Sequence, residues 1–425
     1  MHRLRSSSLL TGTGVYLLAN ILNAAIPFAL LPVLTRYLSP ADYGRVAMFQ
    51  ALLTALASLS ALGVTGAIAR KAYDDPKDRH ELRDLIASCF QLLLTTSALL
   101  FAAVLIFRRE LASWLSLDVV WIQGAVFVSA TMVVIRIRLG QWQVRKQSRA
   151  FGIFQVSQSL GNVSLSLLLV VALHQGYHGR IAAQVGIAAV FATAALVLLH
   201  REQLLAIWIW RPELMREALA FGVPLLPHIA GGFLLGTMDR LIVNNELGVA
   251  ETGIYVVAAQ LAGGMALVFD GINKAYWPWL FERLKKDDIE EKRRVVRLTY
   301  AWYAVILVTV ALVFLVGPTL LTWIAGDRYA RAGEIIGWLA LGEAFGGMYL
   351  MVTNYIFYAR RTGLVSLASI ASGAANVVLL IAFIRWFGLH GAAWAYCSAM
   401  GIRFLLTWWA AHRSVPMPWF GSKAM

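Results

Sequence analysis

Two short acidic clusters are the residues most plainly arranged for chemistry. Asp74, Asp75 and Asp78 spell DDPKD, and Asp287, Asp288 and Glu291 lie in DDIEE. Carboxylates at that spacing can offer oxygen ligands to a magnesium ion carrying a diphosphate. Lys77, Arg79, Lys285, Lys286 and Lys292 interleave with them, however, and mixed-sign runs are the composition of solvated loops. The reading preferred here is a pair of charged loops, with a magnesium-dependent membrane prenyltransferase as the rival. The chain contains no GxxxxGKS/T, HExxH or GxSxG segment that would support other catalysis. No catalytic residue, metal site or cofactor is expected, and the chain is read as a non-enzyme.

The second set consists of ionisable residues embedded in apolar sequence: Arg36, Asp239, Arg240, Asp270, Lys274, Glu343 and Arg403. Charge inside a membrane is costly and normally faces a cavity or a partner, so these outrank loop charges as functional candidates. Asp270 and Lys274 stand at i and i+4, which also suits a plain helical ion pair. Asp239, Asp270 and Glu343 are the acidic groups at membrane depth, so ion coupling, if present, should use one of them. Neutral polar residues recur at helical spacing as Gln50, Thr54 and Ser58, as Ser159, Asn162 and Ser166, and as Ser369, Ser372 and Asn376. Most of these suit helix packing. Asn20 and Asn23 are better cavity candidates, because Pro27 and Pro32 free nearby backbone groups. His178 and His390 are expected to be turn residues, and Cys89 and Cys397, in different halves, to be packing residues.

The elements that must position these groups follow from composition. Of 425 residues, 59% are hydrophobic and only 14% charged, which is far from soluble averages and indicates a polytopic membrane protein. Apolar stretches of bilayer-spanning length are expected near 9–34, 41–69, 85–107, 118–139, 151–173, 179–200, 217–243, 250–273, 298–321, 333–358, 362–386 and 390–411. The basic start MHRLRSSSLL is read as leading into a retained first helix. With the N-terminus inside, 27 of the 37 Lys and Arg residues fall on the inner side and 9 on the outer, with Arg403 inside a helix. This bias places both termini in the cytoplasm. The net charge of +14 then reflects topology and attraction to anionic membrane lipids, not nucleic-acid binding.

The second half also repeats the first. LSPADYG at 38–44 aligns with LGVAETG at 247–253, and GYHG at 176–179 with GLHG at 388–391, at offsets of 209 and 212. An even number of helices per copy makes the repeats parallel, with a cavity expected between them. The fold expectation is an all-α polytopic membrane protein of about twelve transmembrane helices in two parallel six-helix repeats. Residues 1–200 would form an N-terminal lobe, 201–216 an interfacial linker carrying Trp208 and Trp210, and 217–425 a C-terminal lobe.

TRYLSPADYGRVAMFQ (35–50), MDRLIVNNELGVAETGIYVVAAQLA (238–262), NKAYWPWLFERL (273–284) and FGLHGAAWAY (387–396) resemble segments of the polysaccharide transporters in the multidrug/oligosaccharidyl-lipid/polysaccharide exporter superfamily. The resemblance runs over the whole chain. It implies a V-shaped, two-lobed O-antigen or exopolysaccharide flippase of the bacterial inner membrane. Such a protein moves an undecaprenyl-diphosphate-linked oligosaccharide from the cytoplasmic to the periplasmic leaflet by alternating access, alongside polysaccharide polymerase and chain-length proteins. A sugar-diphosphate head needs cationic groups for the diphosphate and aromatic or amide groups for the glycan. Arg36, Arg240, Lys274 and Arg403 are the candidates for the first role. Tyr16, Asn20, Asn23, Gln50, Gln260, Asn273 and Asn354 are the candidates for the second. A lipid II-type flippase is the alternative cargo reading. A drug/cation exporter is disfavoured, because residues 9–34 contain no Asp or Glu.

Overall fold

The computed structural model describes residues 22–419 except Ala24, Pro27 and 75–78. These residues form helices joined by short turns. In chain order they are α1 (Phe28–Tyr37), α2 (Pro40–Ala61), α3 (Val64–Asp74), α4 (Arg79–Ile106), α5 (Arg108–Leu115), α6 (Val119–Val144), α7 (Ser148–Leu167) and α8 (Gly176–Arg201). There follow α9 (Pro212–Gly222), α10 (Leu226–Gly236), α11 (Met238–Leu247), α12 (Val249–Lys285), α13 (Ile289–Ala325), α14 (Gly333–Tyr358) and α15 (Thr362–Ser414).

Nine of the described helices are long and apolar enough to cross a bilayer, against twelve spans expected, and the difference has three local causes. Much of 9–34 lies outside the described residues. The expected span 217–243 is broken into α9, a 3₁₀ turn at Val223–Leu225, α10 and α11, because Pro224 and Pro227 remove backbone donors. The spans at 362–386 and 390–411 run together as one helix of 53 residues, sharply bent where Gly388 takes φ 54° and ψ −129°. The expected span 41–69 is likewise interrupted, where Leu62 and Gly63 have positive φ. A Cβ on Gly63 would come within 2.3 Å of the Cα of Gly222, so α3 and α9 meet backbone to backbone at that break.

Contacts divide the chain into two compact units. One comprises the described residues up to Leu38 together with Arg45–Ile229, and the other Ser39–Gly44 with Ala230–Met425. In the first, Leu85, Ile86, Cys89, Val133, Ile137, Ala195 and Leu199 form a core at the crossing of α4, α6 and α8. In the second, Leu280, Val295, Ile306, Ala344, Val352 and Tyr355 join α12, α13 and α14. Cys397 is buried in α15.

The two sequence motifs that align at offset 209 touch one another inside the second unit. Ser39 and Asp42 form a reciprocal cap at the start of α2: the Ser39 hydroxyl donates to Asp42 Oδ2 at 2.7 Å, and the Asp42 N–H donates back to Ser39 Oγ at 3.1 Å. The first turns of α2 and α12 then cross through glycines. A Cβ on Gly44 would lie 1.9 Å from the Val249 carbonyl oxygen, and one on Gly253 would lie 1.9 Å from that of Pro40.

Candidate functional site

Polar side chains inside the membrane-spanning helices gather in two places, one in each unit. In the first unit they line a cavity of about 360 Å³. Gln155, Gln158, Ser159 and Asn162 stand at i, i+3, i+4 and i+7 on α7, so one face of that helix supplies four of the lining groups. Arg136 comes from α6, Gln184 from α8 and Asn23 from the segment before α1, with Met132, Ile135 and Ile187 as apolar wall. Around this cavity the amides and hydroxyls are tied to one another. Ser159 Oγ donates to Asn23 Oδ1, and Gln184 Nε2 donates to Gln50 Oε1 at 3.3 Å. Arg180 Nη1 reaches Asn162 Oδ1 at 2.6 Å and Ser166 Oγ at 2.8 Å. Of the residues expected to serve packing, Ser159 and Asn162 therefore line a cavity, and Asn162 and Ser166 satisfy an arginine. Planar amides present a donor and an acceptor side by side, which matches adjacent sugar hydroxyls.

The second unit gathers charge. Asp239 on α11 is buried at 5% exposure, and its Oδ2 accepts the Tyr255 hydroxyl at 2.7 Å. Glu343 on α14 accepts the Tyr396 hydroxyl at 2.8 Å, and Asp239 lies within electrostatic range of it. Arg403 on α15 sits 3.8 Å over the Tyr349 ring, with Nη2 donating to Ser369 Oγ at 3.4 Å. Arg240 follows Asp239 directly, its Nε buried and without a hydrogen-bond partner. Two carboxylates, two guanidiniums and the tyrosines between them thus share the interior of one unit.

The remaining expected site residues fall elsewhere. Asp270 and Lys274 pair with each other at 2.6 Å on half-exposed side chains, the helical ion pair that their spacing allows. Asn354 Nδ2 donates to Asn273 Oδ1 at 2.7 Å, and Gln260 Oε1 accepts from Tyr43 at 2.8 Å. Arg36 is exposed at the end of α1. Tyr16 and Asn20 lie outside the described residues. Of the polar stripe on α15, Asn376 donates to the Leu234 carbonyl at 3.1 Å, and Ser372 bonds to its own helix at Ala368, so both serve packing. His178 falls in the first turn of α8 and accepts the Trp121 indole N–H at 2.9 Å. His390 lies just past the bend at Gly388.

The acidic loops are engaged in structure where they are described. Asp288 caps α13, Asp287 pairs with Lys292 at 2.5 Å, Glu290 with Arg293 at 2.7 Å and Glu291 with Arg283 at 2.8 Å. Of DDPKD, residues 75–78 lie outside the described residues.

Arg136, Arg138 and Arg180 were not among the residues expected at the site. The first two sit inside the expected span 118–139 but were counted with the inward loop charge, and that misplacement was the available signal. Arg138 is fully buried on α6 and pairs with Glu202, which also receives Arg145 Nη1 at 2.5 Å. Burial pushes the Glu202 carboxyl up, but the hydrogen bonds and charges of the two guanidiniums more than offset this and hold it below the ordinary glutamate value.

Residues 9–284 match the family described as polysaccharide biosynthesis protein. Among curated relatives, Lsg locus putative protein 1 of Haemophilus influenzae is 23% identical over 390 residues, spanning 87% of this chain and 89% of the relative. The succinoglycan biosynthesis transport protein ExoT of Rhizobium meliloti is 22% identical over 84% of this chain and 68% of its own length. Among solved structures, an inward-facing multidrug resistance MATE transporter of the MOP superfamily superposes with a TM-score of 0.74 at 15% identity, covering 92% of this chain and 94% of the other. The lipid II flippase MurJ in an inward closed conformation gives 0.73 at 12% identity, covering 94% and 87%. The chain therefore belongs to the polysaccharide biosynthesis protein family and shares the all-helical fold of these two solved structures.

Proposed function

We propose that this protein is a lipid-linked oligosaccharide flippase, moving undecaprenyl-diphosphate-linked O-antigen or exopolysaccharide repeat units across the bacterial inner membrane. Movement runs from the cytoplasmic to the periplasmic leaflet by alternating access, with both termini cytoplasmic, and delivers cargo to polymerase and chain-length proteins outside. The observation that carries this reading is the amide-lined cavity among α6, α7 and α8. A polyhydroxylated head group cannot cross hydrocarbon without exchanging its water for protein hydrogen bonds, and Gln155, Gln158, Ser159, Asn162 and Gln184 supply such partners. A succinoglycan biosynthesis transport protein among the relatives and a lipid II flippase among the similar structures are named for cargo of that chemistry.

The second unit supplies coupling. Asp239 and Glu343 each accept a tyrosine hydroxyl, so binding a proton or a cation at either carboxylate competes with that hydrogen bond and changes the charge balance against Arg240 and Arg403. Asp270 already has Lys274 as its partner, so Asp239 and Glu343 are the better coupling groups. Arg36, Arg240 and Arg403 remain the candidates for the diphosphate.

Gene deletion in the native cell tests the reading. Lipid-linked repeat units should accumulate on the cytoplasmic leaflet and surface polysaccharide should disappear. Normal surface polysaccharide in the deletion strain, with no accumulated intermediate, would contradict it.

A further inference from the structure

The three helices that build the cavity of the first unit, α6, α7 and α8, contain no aspartate or glutamate along their whole length, yet carry Arg136, Arg138, Arg149, Arg180 and Arg201. Two of these cations within the spans are accounted for. Arg138 is neutralised by Glu202, and Arg180 is held by Asn162 and Ser166. Arg136 is different. It lines the cavity and makes no hydrogen bond, ion pair or ring contact among the described residues. It lies eight residues before the end of α6, about 12 Å along the helix, with an exposed side chain near the end of the apolar stretch 118–139. An arginine in a cavity wall without a counter-charge is a candidate anion-binding group.

We infer that Arg136 reads a carboxylate on the glycan itself, so that the repeat unit carried by this protein contains an acidic sugar. This rests on the flippase reading above and deepens it. The competing anion is the diphosphate. A diphosphate carries more than one negative charge and calls for more than one cation, whereas the cavity lining holds a single guanidinium among five amides and a hydroxyl. One planar guanidinium matches one carboxylate in a two-point hydrogen bond. The surrounding amides suit the neighbouring hydroxyls of the same sugar, and the absence of acidic residues on all three helices avoids repelling it.

Two short-chain prenyl-diphosphate disaccharides that differ only in a terminal glucose or glucuronate are the probes. Equilibrium binding to the detergent-purified full chain and movement between leaflets of proteoliposomes are both measured, for the wild type, Arg136→Gln and Arg136→Lys. The expected result is tighter binding and faster movement of the glucuronate probe by the wild type. Arg136→Gln should lose that preference, on the order of tenfold, with an unchanged melting temperature in detergent as the folding control. Arg136→Lys should keep part of the preference. Equal treatment of the two probes by the wild type overturns the inference. So does an equal loss for both in Arg136→Gln, which would assign Arg136 to the shared diphosphate. If neither probe moves but binding still favours glucuronate through Arg136, the site stands and the flippase reading falls.

Discussion

At the residue scale, ionisable groups inside the helices sort by whether the fold supplies a partner. Arg138 has one: it is buried against Glu202, and removing the carboxylate leaves a guanidinium without its counter-charge. Glu202→Gln should cost about 3 kcal/mol, read as a lower melting temperature in detergent. The sign of its pH dependence follows from the depressed carboxyl. The stabilisation is present above the ordinary glutamate value of 4.5 and is lost as pH falls through the lower folded value, so wild type and variant should converge in acid. Asp239 and Glu343 belong to the opposite case, in which the partner is a tyrosine hydroxyl that a proton or cation can displace. Asp239→Asn combined with Glu343→Gln should abolish the dependence of transport on an imposed pH or sodium gradient, a loss of roughly five- to a hundredfold. Gradient-driven transport surviving in that double variant would remove both residues from the coupling role. These two carboxylates were legible in the sequence, because an acid in an apolar run is conspicuous. Arg136 and Arg138 were not, because near the end of a span an intramembrane arginine and a cytoplasmic one look alike until the helix is seen to continue to Val144.

At the element scale, helix existence was legible and helix continuity was not. Hydropathy identifies an apolar run but is blind to where the backbone turns. The span expected at 217–243 breaks at a proline-rich turn, while two spans expected near residue 388 run together through one bent glycine. The α7 stripe shows the same limit for side chains. Residues 155, 158, 159 and 162 share a helical face by spacing alone, but only the packing of α6 and α8 decides whether that face meets protein or a cavity. The crossing of α2 and α12 is fixed by backbone contact, and a Cβ at Gly253 would fall 1.9 Å from the Pro40 carbonyl oxygen. Gly253→Ala should therefore force the two first turns apart at a cost of about 1–3 kcal/mol, visible as lower thermal stability. Gly263→Ala, at a position where a Cβ meets nothing within 4 Å, should be neutral or slightly stabilising. Equal behaviour of the two variants would show that the close crossing carries no structural weight.

At the scale of the whole molecule, composition and hydropathy sufficed for the fold class, and the order of degenerate motifs along the chain sufficed for the family. What the sequence left open was the chemistry within each unit: hydrogen-bonding groups and the arginine Arg136 in one, and a balanced set of carboxylates and guanidiniums in the other. On the proposed function, glycan recognition falls to the first, and energy coupling with part of the diphosphate binding to the second. Reconstitution of the purified protein in liposomes carrying a fluorescent undecaprenyl-diphosphate oligosaccharide tests the central claim most directly. Protection of the probe from an external quencher is followed with and without a magnesium chelator. The account predicts protein-dependent movement between leaflets that ignores the chelator. No movement, with magnesium-dependent conversion of a prenyl diphosphate instead, would contradict it and return the acidic loops to the centre of the protein's chemistry.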